Sequence, residues 1–162
     1  MKKTILSLTI LLIAGFSLTA EAQKRKVVYK IAKAGVGIDG IRVGISTRAD
    51  VIRKYGRDFT TKKHGRYSAQ MRYKNGMSFY YCQKDRKQEI FDIELRSPAR
   101  VKTAKGLVLS KSTVSEARKK YGKPRTGLQF RGIEFYYNTY RGRKVITVID
   151  IVEKNGMREC RE

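Results

Sequence analysis

The chain has 162 residues, with 37 Lys and Arg against 14 Asp and Glu, one His and two Cys, for a net charge of +23. One histidine and two cysteines argue against a zinc site, which takes three or four Cys, His or acid ligands, and leave almost nothing for a Cys–His dyad. The charge attracts anionic partners over roughly 8–10 Å at moderate salt and carries no information about fold.

Met1-Lys2-Lys3, a mostly apolar run from Thr4 to Leu18 and Ala20-Glu21-Ala22 have the layout of a signal peptide over residues 1–22, cleaved after Ala22. The run is too short and interrupted for a comfortable membrane span. Removing it leaves 140 residues and, because Lys2, Lys3 and Glu21 go with it, a net charge of +22. That predicts an exported protein, periplasmic or extracellular. Residues 23–35 form a basic N-terminal arm in which Val27 to Ile31 reads equally as an edge strand or a loose segment. Ala34-Gly-Val-Gly-Ile-Asp-Gly40 lacks the Gly-Lys-Ser/Thr of a phosphate loop and reads as a turn before the short strand Ile41-Arg-Val43.

Thr47-Arg-Ala-Asp-Val-Ile-Arg-Lys-Tyr-Gly56 returns 66 residues later as Thr113-Val-Ser-Glu-Ala-Arg-Lys-Lys-Tyr-Gly122. Internal repetition of this kind decides the architecture. Thr47 with Asp50 and Thr113 with Glu116 have the spacing of capping boxes, and Gly56 and Gly122 suit left-handed helix ends. Each helix has only two turns and needs an apolar support.

A hairpin follows each helix: Met71–Tyr73 turning at Lys74-Asn-Gly76 into Met77–Tyr81, and Leu128–Phe130 turning at Arg131-Gly132 into Ile133–Tyr137. Third strands follow at Glu89–Leu95 and Val145–Val152. Alternation places Phe79, Tyr81, Phe91, Ile93, Leu95, Ile133, Phe135, Tyr137, Ile149 and Ile151 on the face that receives the helices. The other face takes Ser78, Tyr80, Cys82, Asp92, Glu94, Glu134, Tyr136, Asn138 and Asp150, with Val148 and Val152 hinting at partial cover. The prediction is an α+β fold of two tandem repeats over 36–98 and 99–154, with a tail over 155–162. Each repeat is a short strand, a short helix and an antiparallel three-stranded meander, with the helices packed on one sheet face.

Val43-Gly-Ile-Ser-Thr47 with Val51 and Gly56, and Leu109-Ser-Lys-Ser-Thr113 with Ala117, Gly122 and Pro124, resemble the small exported domains of the β-lactamase inhibitor protein type. The small lipoprotein of the outer-membrane β-barrel assembly machinery has a similar unit. The chain differs from the lipoprotein in lacking a lipidated Cys and from the inhibitor in its basic charge. The resemblance implies a non-enzymatic partner-binding module and leaves the partner open.

Function is best sought where the copies differ. Gly56 to Gly76 spans 20 residues and Gly122 to Gly132 spans 10, so the first copy carries a longer loop with Lys62, Lys63, His64 and Arg66, anchored by Phe59 and Tyr67. It reads as a binding loop or a solvated insertion. Arg118, Lys119, Lys123 and Arg125 form a second basic set, readable as an ordinary wet helix face. Tyr80 and Tyr136 are the aromatic anchors a protein partner would use. A protein or an anionic envelope component ranks first as partner, and nucleic acid, bound by basic residues with interleaved tyrosines, ranks below. No residue set asks for a cofactor or a metal. The alternative is a nucleic-acid binder or a small degradative enzyme. Asp92 and Glu94 have the spacing of a carboxylate pair but read better as a solvated strand face. Cys82 and Cys160 are expected to be bridged once exported.

Overall fold

The computed structural model describes residues 27–155 and 160. The segment read as a signal peptide, the first residues of the arm and most of the tail lie outside the described residues.

The chain runs β1 (Lys30–Lys33), β2 (Gly37–Ile38), β3 (Ile41–Arg42), α1 (Arg48–Tyr55), β4 (Phe59–His64), β5 (Ser68–Tyr73), β6 (Met77–Cys82), β7 (Ile90–Arg96), β8 (Val101–Thr103), α2 (Val114–Tyr121), β9 (Gln129–Phe130), β10 (Ile133–Tyr140) and β11 (Arg143–Val152). Seven strands form one antiparallel sheet in the order β4-β5-β6-β7-β11-β10-β9, and four form a second in the order β3-β2-β1-β8.

The 66-residue spacing holds at the level of single hydrogen bonds. Asp50 N–H donates to the Thr47 hydroxyl and Glu116 N–H to that of Thr113, each at 3.3 Å, and both acid side chains accept the Thr backbone N–H in return. Ser46 Oγ accepts from Arg42 N–H at 3.0 Å, and Ser112 Oγ from Val108 N–H at 3.1 Å. Gly44 N–H reaches the Ile90 carbonyl at 2.7 Å, and Ser110 N–H the Ile146 carbonyl at 2.9 Å, the acceptors lying 56 residues apart because the spacing after the second helix is 10 residues shorter. Both helices end on a glycine at positive φ, +81° at Gly56 and +83° at Gly122, which side-chain-bearing residues rarely adopt.

The α+β expectation is overturned: strands hold 46% of the described residues and helices 12%. Two causes are local. The capping boxes and terminal glycines confine each helix to eight residues. The residues after Gly56, read as a loop, instead pair along β5 as β4, from Phe59↔Tyr73 to His64↔Ser68. The third cause is long-range. The meanders are not separate units, because β7 and β11 pair antiparallel and fuse them into one sheet.

The arm is no loose segment from Lys30 onward, although Val27 to Tyr29 form no strand. β1 lies inside the second sheet, antiparallel to β2 and parallel to β8. One core takes residues from both sheets and both helices, Ala32, Ile38 and Val101 joining Phe79, Ile93, Ile149, Val51 and Ala117. Tyr55 stacks on Phe79 with ring centroids 5.4 Å apart, and Tyr121 meets Phe135 edge-on at 5.2 Å. Cys82 at the end of β6 is bonded to Cys160, with Cα atoms 5.3 Å apart, which ties the tail to the first copy.

Candidate functional site

Register assembles the second face of the large sheet row by row. Thr60, Arg72, Ser78, Glu94, Asp150, Glu134 and Gln129 are successive cross-strand partners, and the next row runs Lys62, Gln70, Tyr80, Asp92 and Val152. Four carboxyls therefore meet near the middle of a strongly basic protein. Asp92, Glu94 and Asp150 are buried, as are Val148 and Val152. The expectation of a solvated strand face for Asp92 and Glu94 is corrected accordingly.

These acids divide into two kinds. Burial opposes ionisation of Glu94, but the hydrogen bonds and charge of Arg96 prevail and hold its carboxyl below its ordinary value. Arg96 grips both Glu94 oxygens, at 2.8 and 2.9 Å. Among the described residues Asp92 and Asp150 form no ion pair, and each leaves one buried oxygen without a hydrogen-bond partner. Burial, then the neighbouring carboxylates, push both well above the usual carboxylate range. His64 is joined to Glu94 through Gln70 and Tyr80, with contacts of 3.3, 2.7 and 3.4 Å. Among the described residues no group of three or more His, Cys, Asp or Glu is arranged to hold a metal ion.

The two basic sets stand at opposite ends of the large sheet. Lys62, Lys63 and His64 lie on β4, one edge strand, with Arg66 in the turn after it. Arg118 and Lys119 lie on α2, with Lys123 and Arg125 beyond its end, near the β9–β10 edge. They form no common patch. Tyr80 is half-buried within the second face, while Tyr136 is 50% exposed and stands with Arg118 in a sizeable cavity.

That cavity is a groove of about 770 Å³ between the first turns of α2 and the rim of β10. Arg118, Arg143 and Lys144 bring positive charge to it, and Val114, Leu128 and Tyr137 give it an apolar and aromatic lining. Lys144 Nζ sits 5.4 Å over the Tyr137 ring. The Tyr136 hydroxyl donates to Glu134 at 3.3 Å. Burial, then the charges of Asp150 and Glu134, push Tyr136 up to about 12, so it stays a neutral donor. A smaller cavity of about 390 Å³, holding Arg125, Phe130 and Lys154, lies on the other side of Tyr136.

The groove exists because β9 stops after two residues while β10 runs for eight. β9 pairs only with Ile133 and Glu134, and among the described residues the rest of β10 has no strand on that side. Tyr137, expected on the covered core face, is 41% exposed, since no strand among the described residues covers it. Sequence reasoning did not single out Arg143, Lys144 or Tyr137 as site residues. The signal was available in the shorter Gly122–Gly132 spacing, which marks the copy with a gap. Comparison with protein families, with curated proteins and with solved structures finds no match.

Proposed function

We propose that the protein is an exported, non-enzymatic binding protein that engages an anionic partner, a protein segment or an envelope polymer, through the groove along β10. The observation that carries this reading is the convergence of Arg118, Arg143 and Lys144 on an aromatic-lined groove of about 770 Å³, a size typical of ligand sites. The resemblance of the segments around Thr47 and Thr113 to exported partner-binding modules points the same way. Export rests on the character of residues 1–22. A disulfide suits an oxidising compartment, and no described helix is long and apolar enough to cross a membrane.

The test is a titration of the oxidised mature protein with polyglutamate, dextran sulfate, anionic lipid vesicles and a single-stranded oligonucleotide over a range of salt. Removing three cationic contacts should weaken binding and flatten its salt dependence. Replacing Arg118, Arg143 and Lys144 with alanine is therefore expected to reduce the slope, and replacing Lys62, Lys63 and Arg66 to leave it nearly unchanged. The reverse pattern would move the site to the β4 edge. Tight binding indifferent to both variants would remove the reading. Preference for the oligonucleotide would favour the nucleic-acid alternative.

A further inference from the structure

We infer that the groove accepts a strand: an acidic, extended segment of a partner protein adds antiparallel to β10, in the place that β5 holds beside β6. The inference rests on the binding reading above and names the kind of partner.

The molecule supplies its own comparison. In the first copy Met77, Phe79 and Tyr81 face Leu95, Ile93 and Ile90 across the pair, with an irregularity between Tyr80 and Tyr81. In the second, Ile133, Phe135 and Tyr137 face Ile151, Ile149 and Ile146, with the irregularity between Tyr136 and Tyr137. The two strands are therefore equivalent residue by residue. On its other side β6 is lined by β5 over five partners, from Ser68↔Cys82 to Arg72↔Ser78, whereas β10 is lined at only two. The consequence is measurable at one side chain: Tyr81 is 6% exposed and Tyr137 is 41% exposed.

The backbone of β10 is ready for such a neighbour. Phe135 N–H turns to that side and reaches the Leu128 carbonyl at 3.2 Å. Strand alternation aims the N–H and C=O of Tyr137 and Thr139 the same way, into the groove, with no backbone partner there among the described residues. Exposed edges are commonly blunted by lysine, proline or a covering element. The β4 edge carries Lys62 and Lys63, while β10 from Ile133 to Tyr140 contains no lysine, arginine or proline. Strand addition at an unblunted edge is a recurrent mode of peptide recognition.

The surroundings select the chemistry of the occupant. Met71, opposite Phe79, has its counterpart in Leu128 beside Phe135, and Ala69, opposite Tyr81, is fully buried, so the position of an added strand that faces Tyr137 would be apolar. Arg118, Arg143 and Lys144 line the same groove and favour a segment of net negative charge. Glu134 at the closed end is already held by Gln129 and Tyr136 at 3.3 Å. A second copy of this chain brings its own large positive charge and does not fit.

The probe is a short blocked peptide of alternating glutamate and valine, titrated into the oxidised mature protein. Two N-methylated versions, each modified on one alternate set of residues, separate backbone from side-chain contact. Binding of the parent is expected, with one methylated set weakened at least about tenfold, as loss of two or more backbone bonds requires, and the other little changed. Exchange of the Tyr137 and Thr139 amides should slow, and that of the Thr61 and Lys63 amides, which alternation turns outward on β4, should not. Equal binding of all three peptides, equal binding of a lysine–valine peptide, or protection at β4 would each overturn strand addition. If the peptide fails to bind where polyglutamate still binds through the three cations, strand addition falls and the binding function stands. If no probe binds, both fall.

Discussion

Glu94 and Asp150 are direct partners across the β7–β11 pair, so two carboxyls face each other at the seam joining the two copies. Like charges placed directly opposite in a sheet are destabilising. Arg96 relieves Glu94, and the burden falls on Asp150 and on Asp92 beside it.

A pH dependence of unusual sign follows. The folded values of Asp92 and Asp150 are raised, so their contribution is fully present below the unfolded carboxyl range and is lost as pH rises through the raised values. Glu94, held below its ordinary value, works oppositely and loses its contribution as pH falls through its folded value. The melting temperature should therefore rise as pH is lowered from about 8 to about 5 and fall again below about 4. Asp150→Asn should flatten the upper limb and stabilise at pH 8 by about 1–3 kcal/mol. Melting curves across pH for both proteins decide it. A stability maximum near pH 8 in the parent would contradict the arrangement.

Tyr81 and Tyr137 should part stability from binding. Tyr81→Ala removes a buried ring and should cost about 3–5 kcal/mol in a denaturant titration. Tyr137→Ala, at the uncovered equivalent, should cost under about 1 kcal/mol while weakening any ligand of the groove. Equal costs would mean that Tyr137 is covered in solution.

Tyr121 anchors α2 on Phe130 and Phe135, with ring centroids 5.4 and 5.2 Å away. Tyr121→Ala should cost about 2–4 kcal/mol, and Lys119→Ala, on the exposed side, less than about 0.5 kcal/mol. Chemical unfolding of the two variants checks the orientation of the helix.

The Cys82–Cys160 bridge spans a sequence separation of 78. Closing a loop of that size restricts the unfolded chain by about 4 kcal/mol in the entropic account. Paired substitution of both cysteines by alanine should lower stability by that order, and the intact oxidised protein should weigh two hydrogens less than its reduced form.

Much of the local structure was legible in the residues. Thr47 with Asp50 and Thr113 with Glu116 announced both helix starts, Gly56 and Gly122 their ends, and alternation identified β6, β7, β10 and β11. Two misreadings share a cause. Residues 57–66 looked like a loop because a polar, basic stretch carries little apolar alternation. Its strand character comes from backbone pairing to β5, which composition does not record. Asp92 and Asp150 looked solvated because carboxyls usually are, and their burial depends on neighbours distant in sequence.

By itself the sequence determined the 66-residue repeat, the caps, the turns and the pair of unequal spacings after the two helices, since these depend on residues a few positions apart. Tertiary structure alone decided that the shorter spacing leaves a groove. An added stretch of chain invites attention as a loop, but here it completes a sheet, and the copy without it is left with an open edge. Whether a strand has a neighbour is a question of pairing between segments distant along the chain. Only the assembled sheet sets Tyr81 beneath β5 and leaves Tyr137 exposed, with Arg118, Arg143 and Lys144 gathered around it.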